Sequence, residues 1–556
     1  MNSVLVFVFW AIIVAIGYFV YSKYIDTKVW QADRNRATPA KMYMDGVDFM
    51  PANKNILYGF QLNSIAGAAP IIGPIIAIQW GWLPAVLWLG LGVLFIGWVQ
   101  DYSSCMLSVR SDGDTFGALS YKLISPRARV ILLTFVYFYL LLIAAAFGNV
   151  IAGLLSKKAA LPFPMLVIVV VSLFVGQMIY RWKVNIIVTT LVAIVAIFVG
   201  IGLGKYIPIP GSFFWMLIAL LIFGYFSSVL PVWRFIQPFN YSSVYVVYGG
   251  IILGVLGLLI AHKPITLPAY TNFSIGMGPL WPLLFVTIAC GAISGWHSLV
   301  SSTGTSRQIE NELDVRPVAG GAMFAEFTIA IIAVVICATA FSNASQYIAS
   351  VKTGGQAAGL FMTGLASAMG TFAIPTSYAT AYAGSMILIL ALTVVNLVFR
   401  FMKVATAELL GERITVAKNP HVATIVAAIL AFILVMTGTF KYVWVLFGGS
   451  NQLMAALALL LVTLFLISKG NKYKFAFIPM LFMYVTTVAA LFYTSVIKLL
   501  IPAFSGAVVG AKLAGNLIAG GIGIVLLVCA LILGYDGLKA FAKYRAEQVS
   551  GKPAEA

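Results

Sequence analysis

The stretch Gly59-Phe-Gln-Leu-Asn-Ser-Ile-Ala-Gly-Ala-Ala-Pro-Ile-Ile-Gly-Pro74 reads as an apolar span that cannot stay helical along its whole length. Pro70 and Pro74 each lack a backbone donor, and each ring collides with the carbonyl four residues back. The carbonyls of Ala66 and Pro70 therefore lose helix partners and are free to face a solute or an ion. At membrane depth, non-helical backbone persists only where protein or a water-filled cavity satisfies it. Gly, Pro and small polar residues inside an apolar run are accordingly the pointer to a transport site. A second such run is Ala289-Cys-Gly-Ala-Ile-Ser-Gly-Trp-His-Ser-Leu-Val-Ser-Ser-Thr-Gly-Thr-Ser306, where Ser294, Ser298, Ser301 and Ser302 recur near helical spacing around His297. Close helix packing through small residues is the competing account of either stretch.

Composition places both runs in a membrane. Of 556 residues, 62% are hydrophobic and 9% charged, and the mean hydropathy is +1.02. Soluble domains carry roughly 25% charged residues, so no water-facing surface is available here. The longest polar stretches, Lys23 to Tyr58 and Arg110 to Arg129, are too short to form cores of their own. The chain thus reads as one membrane domain over 1–556. Its net charge of +18 would suggest nucleic acid in a soluble protein. In a membrane protein the same excess belongs to cytoplasmic loops.

A helix needs roughly 20 apolar residues to cross the bilayer core. Such runs occur at 3–22, 60–80, 82–108, 130–155, 163–180, 184–205, 212–236, 244–262, 280–303, 319–342, 377–402, 421–439, 442–467, 475–500 and 516–538. Segment 356–373, rich in Gly, Ala, Ser and Met, is either a further crossing or a re-entrant hairpin. Charge discriminates between the two. With the N-terminus outside and 356–373 not crossing, 26 of the 34 Lys and Arg face the cytoplasm. If 356–373 crosses, the split falls to 18 against 16 and the bias disappears. The expected topology is about 15 crossings, N-out and C-in, in the cytoplasmic (inner) membrane. Met1 to Val20 lacks a positive leader and a small-residue cleavage site, so it reads as an anchor and not a removed signal.

Ionisable groups inside spans are scarce: Asp101 in Gln100-Asp101-Tyr102, Glu326, and His297 as the one histidine well inside a span. A charge at a helix centre costs roughly 2.5–3.5 kcal/mol, so such residues tend to be functional. Asp101 and Glu326 are read either as coupling groups or as partners of a loop Arg or Lys near the inner face. His297 is read either as a proton relay or as a neutral imidazole bonded to a nearby hydroxyl. Cys105, Cys290, Cys337 and Cys529 show no metal-ligand spacing and read as small core residues. Leu230-Pro-Val-Trp-Arg-Phe-Ile-Gln-Pro238 ends a span with Arg234 as an inner anchor, and 402–415 reads as an amphipathic surface helix. Asn451 and Gln452 either line a vestibule or bond between helices. No nucleotide loop, zinc-protease helix or nucleophile elbow occurs, so neither an enzyme nor a cofactor is expected.

Ser64 to Pro84, Leu230-Pro-Val-Trp233, Thr287 to Ser302 and Phe447 to Leu457, occurring in this order, resemble the carbon starvation protein A family of bacterial transporters. The resemblance implies an all-α, polytopic transmembrane helix bundle with inverted repeats and broken helices, a LeuT-like core. It also implies ion-coupled uptake of peptides or, in some members, of pyruvate with protons. Placed on this chain, the substrate site falls at Ser64, Ala66, Gly67, Pro70, Gly73, Ser294, Gly295 and Ser298. Coupling to protons or sodium falls at His297, Asp101 and Glu326. The chain departs from the family at Gln100-Asp101, where His-Asp is common, and at Asn396-Leu-Val-Phe-Arg400, where many members carry Asp-Thr-Ala-Thr-Arg.

Overall fold

The computed structural model describes residues 2–550 apart from 47, 341–343, 352–353 and 437–439. Lys352 and Lys552, both counted in the charge split, and the ends of the 319–342 and 421–439 spans lie outside the described residues. The described chain is helical throughout except for connections and one small hairpin pairing Ser274–Ile275 with Gly278–Pro279. Twelve described helices are long and apolar enough to cross a membrane, and Phe213–Val229 and Pro420–Met436 are shorter apolar helices.

Helices sort into a centre and a periphery by how much of them is covered. Lys54–Trp80, Thr376–Leu410 and Val443–Ser468 are almost entirely enclosed, whereas Ser3–Trp30 and Ile186–Leu203 leave most of their apolar surface bare. Leu5, Phe9, Ile187, Leu191, Val195 and Val199 are exposed. A bare apolar belt around a helix bundle is stable in lipid and not in water. This is the expected all-α transmembrane bundle.

Polar side chains are buried where the central helices meet. Gln61, Asn63, Ser64, Gln100, Asp101, Asn240, His297, Glu326, Asn451 and Gln452 are all at most 1% exposed. The ion pairs of Lys and Arg gather elsewhere, in the connections and toward helix ends. Arg110 clamps Glu312 at 2.8 Å, Arg400 meets Asp48 at 2.7 Å, Arg316 approaches Asp26 at 3.9 Å, and Arg127 and Arg129 reach Asp536 and Glu408. Residues 356–370 belong to the helix Gly354–Gly370. The expected surface helix at 402–415 is instead the end of the continuous helix Thr376–Leu410, with Met402 and Ala405 buried. Nothing in that stretch breaks the helix before Gly411, so it continues the long span.

Candidate functional site

Two central helices are interrupted. The first runs Lys54–Ala66, unwinds at Gly67 and Ala68, and restarts as Ala69–Ala77. Gly67 has φ +52° and ψ −165°, a nearly glycine-only conformation that costs an L side chain roughly 1–3 kcal/mol. The break lies before Pro70, not around it: Pro70 occupies the first turn of the new helix, where its missing N–H has no partner to lose. The freed groups are taken by neutral partners. Thr393 Oγ1 donates to the Asn63 carbonyl at 2.7 Å, and the Trp296 indole donates to the Ser64 carbonyl at 2.7 Å. Asn240 Nδ2 donates to Ser64 Oγ at 2.7 Å, and Asn63 Nδ2 donates to Ser243 Oγ at 2.7 Å. Both amide oxygens, Asn63 Oδ1 and Asn240 Oδ1, stay buried without a hydrogen-bond donor.

The second interruption separates Leu280–Thr287 from Gly295–Val300 and leaves residues 288–294 irregular. Its orphaned carbonyls are satisfied by two adjacent amides on the helix Phe440–Ser468. Gln452 Nε2 donates to the carbonyls of Phe285 at 2.7 Å and Ile288 at 2.8 Å, and Asn451 Nδ2 donates to that of Ala289 at 2.5 Å. Asn451 Oδ1 accepts from the Trp296 amide at 2.9 Å and from the Tyr139 hydroxyl at 2.6 Å. Asn451 and Gln452 thus resolve as interhelical brackets that hold the unwound backbone open.

The two breaks touch. A Cβ on Gly73 would stand 2.4 Å from the Thr287 carbonyl oxygen, so one backbone crosses directly over the other. Gly67 leaves room for Val394 and Phe147, and Gly295 for the Asn451 carbonyl and Met454. Small residues therefore do serve close helix packing at these positions, as the competing account holds.

Around the second break the three ionisable span residues converge. His297 Nδ1 lies 2.7 Å from Asp101 Oδ2, and its Nε2 lies 3.2 Å from Glu326 Oε2, with all three side chains fully buried. Asp101 comes from the helix Trp98–Val109 and Glu326 from Gly321–Ala340, so the imidazole ties together three separate helices. Among the described residues neither acid pairs with a loop cation, and His297 faces the two carboxylates and not a lone hydroxyl. Ser298 bonds Gln100 and lies 3.1 Å from Ser104 Oγ. The Gln100 amide nitrogen faces Asp101 Oδ1 at 2.9 Å and the Ser294 carbonyl at 3.0 Å. Ser294 bonds Asn451.

Of the residues singled out in the sequence, Ser64 and Gly67 lie at the first break, Ser294 and Gly295 at the second, and Gly73 at their crossing. Ala66 and Pro70 flank the first break, while Ser298 faces the ionisable cluster through Gln100. Sequence reasoning missed Cys290, which it left in the core: its Sγ lies 3.4 Å from His297 Nε2. It also missed Asn63, Asn240, Thr393 and Gln100. A polar side chain inside an apolar run was the available signal for each.

Known proteins give this geometry a context. The helix arrangement is shared with that of MhsT, whose crystal structure was determined in complex with L-phenylalanine: the TM-score is 0.50 at 13% identity, covering 88% of this chain and 99% of that one. A protein of Bacillus subtilis (strain 168) named peptide transporter CstA is 27% identical over 536 residues, covering 87% of this chain and 89% of its own length. A protein of Escherichia coli (strain K12) named pyruvate/proton symporter BtsT is 34% identical over 336 residues, covering 58% of this chain and 47% of its own length. The profile described as carbon starvation protein CstA matches residues 2–358 and 338–490. A LeuT-like bundle with two broken helices, matched by that profile along most of its length, belongs to the carbon starvation protein CstA family, whose members are multi-pass membrane transporters and not enzymes.

Proposed function

We propose that the protein is a secondary active importer of short peptides, driven by an ion gradient and binding its solute between the two broken helices. The observation that carries the reading is the pair of buried amide oxygens, Asn63 Oδ1 and Asn240 Oδ1, left without donors beside Ser64. A buried acceptor with no donor costs roughly 1–3 kcal/mol. A solute carrying N–H groups, such as the α-ammonium and amides of a peptide, offsets that cost, and a simple carboxylate does not. The restarting helix Ala69–Ala77 offers its positive end to the peptide carboxylate. Ser64, Ala66, Gly67, Pro70 and Gly73 form one wall of the site, and Ser294, Gly295 and Ser298 the other.

Coupling is assigned to Asp101, His297 and Glu326, which join three helices across the second break. The coupling ion is a proton or sodium. A second reading, symport of pyruvate or another short carboxylate, is favoured by the likeness to the E. coli pyruvate/proton symporter. Vesicles containing the purified protein separate these readings. Labelled di- and tripeptides should accumulate above their external concentration under an imposed proton or sodium gradient. Equilibration without accumulation identifies an uncoupled facilitator, and uphill pyruvate uptake without peptide uptake identifies the carboxylate reading.

We also propose one domain of about 15 crossings, with 356–373 staying at the outer side. The ion pairs Arg110–Glu312, Arg316–Asp26, Arg400–Asp48 and Arg129–Glu408 join segments 23–54, 110–129, 307–316 and 400–418, which this topology puts on the cytoplasmic face. Near 356–373 the contacts lie with outer segments: Gln79 Nε2 donates to the Val351 carbonyl at 3.2 Å, and Lys263 Nζ lies 3.4 Å from Ser367 Oγ. A single cysteine at Lys418 in a cysteine-free background should react from the cytoplasmic side only. Labelling from outside would make 356–373 a crossing.

A further inference from the structure

Cys290 is the one member of the buried cluster that the coupling reading leaves unused. Its Sγ, His297 Nε2 and a Glu326 carboxylate oxygen all lie within 4.8 Å of one another, and all three residues are buried. The individual separations are informative. Sulfur to nitrogen is 3.4 Å and nitrogen to oxygen is 3.2 Å. Around a tetrahedral zinc ion, bonds of about 2.3 Å to sulfur and about 2.0–2.1 Å to nitrogen and oxygen put neighbouring ligand atoms about 3.4–3.6 Å apart. Two edges of the triangle already have nearly the length of an edge of that tetrahedron, and the third is at most 4.8 Å.

Two further features point the same way. Glu326 is fully buried, and among the described residues its carboxylate has no hydrogen-bonding or ion-pairing partner beyond His297 Nε2, 3.2 Å from Oε2, an arrangement that calls for a further cation. Asp101 Oδ2, at 2.7 Å, takes the Nδ1 side of His297, which leaves Nε2 to face the sulfur and Glu326. A carboxylate behind a ligating histidine fixes the ring and its tautomer and strengthens the nitrogen as a ligand.

We infer that Cys290, His297 and Glu326 form a binding site for one divalent transition-metal ion of the zinc and cobalt class, with Asp101 orienting the imidazole. Thiolate and imidazole select this class over magnesium and calcium, which prefer all-oxygen shells. Binding exchanges the Cys290 thiol proton for a sulfur–metal bond, and the proton leaves to solvent. The thiolate and the Glu326 carboxylate then balance the two positive charges of the ion, so the unit of metal, thiolate, imidazole and carboxylate is neutral. Three protein ligands leave a fourth position open, as in metal sites that accept an exogenous ligand. The ion would link the unwound segment 288–294, the helix Gly295–Val300 and the helix Gly321–Ala340.

The site stands on this geometry alone, whichever ion drives transport. Purified full-length protein with its affinity tag removed should be titrated with cobalt(II) and then zinc. One cobalt per chain is expected, with a sulfur-to-cobalt charge-transfer band and the strong visible bands of four-coordinate cobalt, both erased by one equivalent of zinc. Cys290→Ser should lose the charge-transfer band, Glu326→Gln should weaken binding at least tenfold, and Cys105→Ser should change neither. A wild-type protein that binds less than one cobalt, or binds it without a charge-transfer band, overturns the inference. So does a Cys290→Ser protein that keeps the band. Cobalt bands in a wild type that shows no uphill uptake uphold the metal site while removing the coupling reading.

Discussion

The two broken helices solve one backbone problem with opposite chemistry. At Gly67–Ala68 the freed carbonyls of Asn63 and Ser64 accept from the Thr393 hydroxyl and the Trp296 indole, and the side chains beside them, Asn63, Ser64, Asn240 and Ser243, are all neutral. At 288–294 the backbone is held just as firmly by Asn451 and Gln452, but the side chains behind it are Asp101, His297 and Glu326. A neutral break recognises through geometry and hydrogen bonds, each worth about 0.5–1.5 kcal/mol net. A charged break responds to ions, because a buried charge without its partner costs several kcal/mol. On the proposed function the two breaks divide the labour: both wall the solute, the first supplies most of its hydrogen bonds, and the side chains behind the second handle the driving ion.

Mutating each break separately should therefore fail in different ways. The largest effect is expected at the charged one. His297→Gln keeps a side chain of similar reach but removes the group shared by both carboxylates, so uphill accumulation should fall to the level of simple equilibration. Peptide binding, measured by thermal shift or calorimetry, should change less than threefold in the same protein. Loss of binding together with accumulation would merge the two breaks into one functional unit. A smaller effect is expected at the neutral break. Asn240→Ala removes one unpaired acceptor and the donor to Ser64. Peptide affinity should fall about tenfold, equivalent to about 1.4 kcal/mol, while the gradient dependence of the remaining uptake stays as in the wild type. Unchanged affinity in a monodisperse Asn240→Ala protein would move the peptide site away from the first break.

How much of this was readable in the sequence follows from which constraints are local. Span length is local, so the apolar runs stand out directly. Gly and Pro inside a run are local too, and both broken helices were identified from them. The position of the first break was displaced by a few residues, because Pro70 was read as a breaker when it is a helix starter. Asp101, His297 and Glu326 were each legible as polar residues in expensive places. Their convergence was not, since 196 positions separate His297 from Asp101 in the chain and only the packing of three helices joins them. Cys290 escaped for the same reason: seven residues from His297, it is brought back by an unwound segment and not by a helical turn. Asn451 and Gln452 could not be resolved between vestibule and bracket until the carbonyls they hold were located. Gly411 carries a smaller lesson, since amphipathic composition at 402–415 did not announce where the long helix stops.

The crossing at Gly73 has a mechanical consequence. Because the Thr287 carbonyl oxygen lies 2.4 Å from where a Cβ would stand, the two segments meet backbone to backbone with no side chain between them. Side-chain contacts can change rotamer and let helices slide, whereas this one has nothing that can change rotamer. Sliding the helix Ala69–Ala77 along its axis brings a side chain of the same face, Pro70 on one side or Ala77 on the other, toward the same carbonyl, but tilting about the contact point disturbs little. The crossing therefore acts as a fulcrum. A rotation of a few degrees there is small at the breaks on either side and grows with distance along each lever arm, so the widest excursion falls at the two membrane surfaces.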